Sequence, residues 1–250
     1  MFQATPPRAI AFFDVDNTLM RGASLYHLGV AAWRCGLITR RDITSFGWKQ
    51  ARFLAVGENR DHLGAVLLRA LEVAVGFEQA ELMRLSEEIF DTKLTRRLWP
   101  ETVAVARHHL EAGREVWLLT ASVQEVADVI AARLGFTGAL GTVLEANDGI
   151  FTGRLIDGVC HGALKSQAAR ERASASGVDL AECWAYSDSH NDIPLLDLVG
   201  NPVVVNPDAA LKRYAAERDW PVMRMKRASI RRAARASRVS AHRVRTSKKR

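Results

Sequence analysis

The sequence predicts an α/β chain, in which a parallel sheet carries helices on both faces and a helical lobe is inserted near its start. Three observations lead there. Residues 9–13, AIAFF, are an apolar run of strand length with no polar side, as in a strand buried on both faces. Residues 21–99 then change to apolar positions at helical spacing. From Trp99 onward strand and helix signals alternate, the rhythm of a parallel sheet built with crossover helices.

Taken in order, the lobe comprises SLYHLGVAAWRCGL, DITSFGWKQARFLAV, DHLGAVLLRALEVAV and AELMRLSEEIFDTKL, punctuated by Gly36, Gly57 and Gly76. No convincing strand falls among them, so about four helices are expected. PETVAVARHHLEAG reads as a helix with Pro100 in its first turn and Gly113 at its end, followed by the strand REVWLL. SVQE has the form of a capping box, Ser122 with Glu125 three residues on, which starts a helix there and ends it near Gly135. TVLEANDGIFTGRLI carries a hairpin signal at Asp148-Gly149. GALKSQAARERASASG returns to helix, CWAYS to strand and PVVVN to a last strand. The expected units are an α/β core of residues 1–21 and 99–223, a helical lobe of 22–98 and a basic tail of 224–250.

A chain of 250 residues that is 48% hydrophobic can bury a proper core. No apolar run approaches the ~20 residues of a membrane span. The start MFQATPPRAIAFF lacks the order of charge, apolar stretch and cleavage site of a secretory signal, so a cytoplasmic protein is expected. Cys35, Cys160 and Cys183 lie far apart without metal-ligand spacing and are read as buried thiols. The net charge of +7 is unevenly placed. Residues 224–250 hold 12 of the 35 Lys and Arg and no acid, which leaves 23 basic against 28 acidic residues before them. A nucleic-acid reading from overall charge is therefore excluded for the core and concerns the tail alone.

Three of the expected strands end in polar chemistry: AFF in Asp14 and Asp16, VWLL in Thr120, and CWAYS in Asp188. Lys165 lies between the last two, and Asp192 follows Asp188 by four residues. In parallel sheets ligands bind outside the carboxyl ends of the strands, so neighbouring strands would bring these groups to one edge. The set suits a phosphate monoester. A carboxylate that attacks phosphorus approaches a dianion, and positive charge must offset the repulsion. A hard cation held by Asp14 and Asp188 would supply it, with Lys165 and the Thr120 hydroxyl on the phosphate oxygens. Asp16 would then protonate the leaving oxygen and later deprotonate water.

DVDNT, TAS, the isolated Lys165 and YSDSHNDIPLL together resemble the four motifs of the haloacid dehalogenase superfamily, in the order and spacing of its subfamily IB hydrolases around phosphoserine phosphatase. The resemblance covers roughly residues 8–223. It implies a Rossmann-like core with the inserted lobe as a cap that closes over the substrate and excludes water. It also implies an aspartyl-phosphate at Asp14, Asp16 as acid and base, and Mg2+ on Asp14, the Asp16 backbone carbonyl and Asp188. Thr120, Ala121 and Lys165 would bind phosphate, with Asp192 and Thr18 supporting the site. Two departures bear on substrate. Phosphoserine phosphatases typically carry Glu nine residues after the nucleophile, where this chain has Ala23, and favour Ser-Gly-Gly where it has Thr120-Ala121-Ser122.

The expected function is thus a magnesium-dependent phosphomonoesterase acting on a small phosphorylated metabolite, phosphoserine-like or related. A phosphotransferase sharing the covalent intermediate is one alternative. A protein acting through its tail on an anionic membrane or nucleic acid is the other. The tail itself is read first as a solvated extension. His108 and His109, on an amphipathic helix, are read as surface or core groups. His190, Trp48, Arg52 and His27 stay outside the candidate site.

Overall fold

The structure, a computed structural model, describes residues 9–34, 71 and 74–236. The expected second lobe helix and most of the third, together with Cys35, Trp48 and Arg52, lie outside the described residues. Six strands form one sheet in the order β3-β2-β1-β6-β7-β8, and every neighbouring pair is parallel. They are β1 (Ile10–Phe13), β2 (Glu115–Val123), β3 (Gly138–Thr142), β6 (Trp184–Ser187), β7 (Asn201–Val205) and β8 (Val222–Met223). Between them, β4 (Leu144–Asn147) and β5 (Ile150–Leu155) make a separate antiparallel hairpin. Its turn takes Asp148 and Gly149 to φ 50° and 79°, the pair of positive values that the Asp-Gly signal anticipates.

β1 lies mid-sheet and is fully buried. Its side chains alternate between two cores, as the twofold strand period requires: Ala11 and Phe13 join one, Ile10 and Phe12 the other. The first core is covered by α3 (Pro100–Glu111) and α4 (Gln124–Leu134) through Val103, Ala106, Val126 and Ile130. The second is covered by α5 (Ala163–Ser176), α6 (Ile193–Leu196) and α7 (Ala209–Ala216) through Ala169, Ala173, Leu195 and Leu211. Helices on both faces make this an α/β fold with a Rossmann-like parallel sheet.

Of the lobe, α1 (Ser24–Arg34) packs against α2 (Gln79–Ile89). α2 buries Leu82, Leu85, Ser86 and Ile89, one stripe at helical spacing. A wider π turn (Phe90–Leu94) and a 3-10 turn (Thr95–Arg97) follow. Trp99 is then extended, as the residue before a proline tends to be, and Pro100 opens α3. The two connections between lobe and core run side by side: Met20 bridges Leu98, Arg21 N donates to Arg97 O at 2.8 Å, and Trp99 N donates to Leu19 O at 2.9 Å.

One local expectation is overturned. No capping box forms at SVQE, because β2 runs on through Val123, and Val123 itself precedes the helix without a side-chain cap. Ser122 is buried in the strand extension, and Glu125 is buried with Oε1 accepting from Gln79 Nε2 of α2 at 3.0 Å. A tertiary contact thus claims the carboxylate that the local motif assigned to the backbone. The other end agrees: Gly135 closes α4 at φ 71°.

Packing also continues past residue 223. Met225 N donates to Asn206 Oδ1 at 2.8 Å, and residues 227–236 form a helix, α8. Its buried Ser229 places Oγ 3.0 Å from Glu101 Oε2 and 2.8 Å from Lys226 O. Among the described residues no helix is long and apolar enough to cross a membrane.

His109 is a core group and His108 is exposed. Arg114 Nη1 lies 3.2 Å from His109 Nδ1, and a guanidinium can only donate, so Nδ1 accepts. Nε2 then carries the proton toward Tyr186 OH at 2.9 Å. Burial, with Arg114 and His108 adding, lowers the His109 pKa to about 4. The unfolded imidazole binds its proton near pH 6.5, so folding stability falls as pH drops from 6.5 toward 4, by ~1 kcal/mol per pH unit. Urea unfolding between pH 7 and 5 checks this: His109→Gln should show a shallower pH slope than the wild type, whatever its stability at pH 7.

Candidate active site

The site is assembled where the chain order reverses. From β1 the sheet grows toward β2 and β3 on one side and toward β6, β7 and β8 on the other. Such a switch point leaves a crevice beyond the strand ends. β1 ends in Asp14, whose N–H continues the ladder by donating to Tyr186 O at 2.9 Å. β6 ends one residue before Asp188. Phe13 stacks on Tyr186 at 4.2 Å with rings 2° from parallel, which fixes the two strand ends against each other.

Lys165, in the first turn of α5, is buried and reaches both carboxylates. Its Nζ lies 2.6 Å from Asp14 Oδ1 and 2.7 Å from Asp192 Oδ2. An ammonium has three protons, so these bonds leave one for a substrate. Ser187 Oγ adds a 2.7 Å bond to the same Asp192 oxygen, while Asp192 Oδ1 is buried with no hydrogen-bond partner among the described residues. Burial pushes the Asp14 carboxyl up to about 7, with the Asp192 and Asp16 charges adding and Lys165 opposing. The neighbouring carboxylates hold the Lys165 ammonium charged against its desolvation, with its pKa raised.

The loop after β1 is pinned on several sides. Asn17 takes φ 61°, a left-handed conformation that asparagine tolerates, and its Oδ1 accepts from Gly22 N at 2.9 Å. Trp99 Nε1 donates to Asn17 O at 3.1 Å. Asp16 is half-buried, and its Oδ1 accepts from the N–H of Ser24, the first residue of α1, at 2.8 Å. Thr18 Oγ1 points to Asp188 Oδ1 at 3.4 Å, a long contact.

Thr120 and Ala121 sit in the extension of β2, where its pairing register with β3 shifts between Leu119 and Val123. Such an irregularity re-aims side chains at a sheet end. Thr120 is buried; its Oγ1 accepts from Ser122 N at 3.1 Å and keeps its own proton to donate. Ala121 is half-buried, and its carbonyl accepts from Thr142 Oγ1 at 2.9 Å. Cys160 lies buried nearby, its thiol pushed up to about 11 by burial, so it is protonated and no nucleophile at neutral pH.

Direct bonds thus join Asp14, Lys165 and Asp192, and Thr18 approaches Asp188. Sequence reasoning missed Ser187, which donates to Asp192, and Asp208. Asp208 Oδ2 takes His190 N and lies 2.8 Å from His190 Nδ1, while Asp208 N donates to Asp188 O at 2.9 Å. A serine beside a strand-end aspartate carries no distinguishing spacing. The Asn-Pro-Asp before a helix signals only the cap that Asp208 also provides to Ala210 and Leu211.

Comparison with known proteins places these residues in context. The haloacid dehalogenase-like hydrolase family profile matches residues 11–197. A Mycobacterium tuberculosis protein named phosphoserine phosphatase SerB1 is 47% identical over 215 residues, 86% of this chain and 70% of its own. A histidinol-phosphatase of Neisseria meningitidis is 29% identical over 224 residues, 87% of this chain and 99% of its own. Among solved structures, a Bordetella pertussis protein described as of unknown function superposes with a TM-score of 0.75 at 28% identity, covering 87% of this chain and 98% of its own.

Proposed function

This chain belongs to the haloacid dehalogenase-like hydrolases and is a phosphatase of that family, and from that premise we propose that it hydrolyses a small phosphorylated metabolite in the cytoplasm through an aspartyl-phosphate on Asp14, with Mg2+. The observation that carries this reading is the buried Lys165 ammonium shared between Asp14 and Asp192 at the switch point of the sheet.

The residues fit a hard cation. Among the described residues no three His, Cys, Asp or Glu side chains converge as a ready-made cage. The set proposed is instead mixed: the carboxylates of Asp14 and Asp188 and the main-chain carbonyl of Asp16, all oxygen donors of the kind Mg2+ takes alongside water. The buried Asp192 Oδ1, without a hydrogen-bond partner among the described residues, has an acceptor to offer a water of such an ion. When bound, the ion supplies positive charge that offsets repulsion between carboxylate and phosphate.

In the first step an Asp14 oxygen bonds to phosphorus, the bond from phosphorus to the ester oxygen breaks, and Asp16 gives that oxygen its proton. In the second, water bonds to phosphorus, Asp16 takes a proton from it, and the bond to Asp14 breaks. Lys165 and the Thr120 hydroxyl, with the backbone at Ala121, hold the phosphate oxygens. Because Asp16 accepts a hydrogen bond from the first residue of α1, the proton carrier is tied to the lobe. Residues 22–98 would act as a cap on a core of 1–21 and 99–223. With Ala23 where an amino-group reader would stand, the substrate is expected to be recognised differently from phosphoserine.

Phosphate release from a panel of phosphomonoesters, including phosphoserine and histidinol phosphate, tests the reading with Mg2+ and again after chelation. Metal-dependent turnover of at least one member is expected. Turnover that survives chelation would remove the metal from the reading, and added acceptor alcohols that capture the phosphoryl group would redirect it to transfer.

A further inference from the structure

Asp208 makes more bonds than the start of a helix requires. Its Oδ1 accepts from Ala210 N at 2.9 Å and Leu211 N at 2.8 Å, which is all that a helix cap asks of a side chain. The rest of the residue turns to the loop that follows β6. Oδ2 accepts from His190 N at 2.8 Å and lies 2.8 Å from His190 Nδ1; a carboxylate only accepts, so the ring donates there. The main-chain N–H of Asp208 donates to Asp188 O at 2.9 Å.

The segment that carries Asp208 is held on both sides. Before it, Asn206 leaves β7 at φ 45°, with its N–H donating to Met223 O at 2.9 Å and its Oδ1 accepting from Met225 N at 2.8 Å. After it, α7 is fixed to the sheet by Leu211 and Ala215, both fully buried in the second core. The loop it grips is short. Asp188 leads into a single tight turn, His190–Asp192, in which Ser189 Oγ accepts from Asn191 N at 3.2 Å and which ends on the Asp192 that Lys165 bonds.

We propose that Asp208 is a positioning residue for Asp188: by bonding the Asp188 carbonyl and both the main chain and ring of His190, it fixes the direction of the Asp188 carboxylate and so sets the affinity for Mg2+. The role rests on the reading of Asp188 as a ligand of that ion. Mg2+ accepts little departure from octahedral placement of its oxygens, so a ligand free to swing binds it poorly. Removing a residue that orients a ligand weakens metal binding by about 10- to 100-fold in general.

Asp208→Ser separates this role from the cap. Serine also caps a helix, but its single oxygen leaves none for His190. His190→Ala removes only the ring's bond. Lys212→Gly, at an exposed position of α7, weakens the helix without touching the loop. Thermal midpoints of the full chain against Mg2+ concentration read half-saturation without turnover, and phosphate release at each concentration reads it again. Half-saturating Mg2+ should rise about tenfold or more in Asp208→Ser by both measures, while kcat at saturating Mg2+ recovers to within about threefold of wild type. His190→Ala should shift it the same way by about two- to fivefold. Lys212→Gly should lower the metal-free midpoint and move half-saturation by less than about twofold. Wild-type half-saturation in Asp208→Ser, or in His190→Ala should the serine variant not fold, overturns the positioning role and leaves the metal reading standing. An equal rise in Lys212→Gly overturns it as general loosening. A wild type whose midpoint ignores Mg2+ removes the metal reading and this role together.

Discussion

Asp14→Asn is expected to lower phosphate release by about ten-thousand-fold or more while leaving the fold in place. Asparagine keeps the shape of the side chain at the end of β1, but its amide cannot form the acyl-phosphate bond. Lys165 retains Asp192 as a partner at 2.7 Å, so no buried charge is stranded. The thermal midpoint should stay within a few degrees of wild type. Steady-state release with the best substrate, alongside a thermal melt, reads both quantities. A variant that keeps more than about a tenth of the wild-type rate would remove Asp14 from the chemistry.

Lys165→Met is expected to damage both activity and stability. The wild-type ammonium sits between two buried carboxylates, and methionine of similar length leaves Asp14 and Asp192 facing each other without it. Breaking a buried pair from one side costs about 3–5 kcal/mol, because the charge left behind has lost its solvent and its partner. Release should fall about a thousandfold, since a phosphate dianion meets the same unbalanced carboxylates. Adding Asp192→Asn should recover a large part of the stability and little of the activity. Urea midpoints for the two single variants and the double variant give the coupling directly. If the double variant is no more stable than Lys165→Met alone, the bond to Asp192 is not what holds the lysine charged.

The buried strand, the alternation after Trp99 and the candidate site residues Asp14, Asp16, Thr120, Lys165, Asp188 and Asp192 were legible because each is encoded over a few neighbouring positions. A carboxylate at the end of an apolar run, or Gly135 after a helical period, needs no distant partner to be seen. The failures share the opposite property. Ser122 and Glu125 match a capping box letter by letter, yet Gln79 of the lobe takes the Glu125 carboxylate from 46 residues away. Ser187 and Asp208 acquire their roles from Asp192 and His190, partners that only the folded chain brings within bonding distance. The basic segment was read first as a solvated extension, whereas within its described part, residues 224–236, Ser229 meets Glu101, 128 residues earlier.

The sequence by itself determined the α/β class, the place of β1 as a strand buried on both faces, the Asp-Gly hairpin and which residues are proposed to react. Only the tertiary structure decided which of those groups touch: Lys165 on Asp14 and Asp192, Asp16 on the first residue of α1, α8 against α3. The physical reason is range. Backbone preference and hydrophobic period act within a turn or a strand, whereas parallel pairing and buried charge pairs join residues far apart in the chain, chosen by the burial they share.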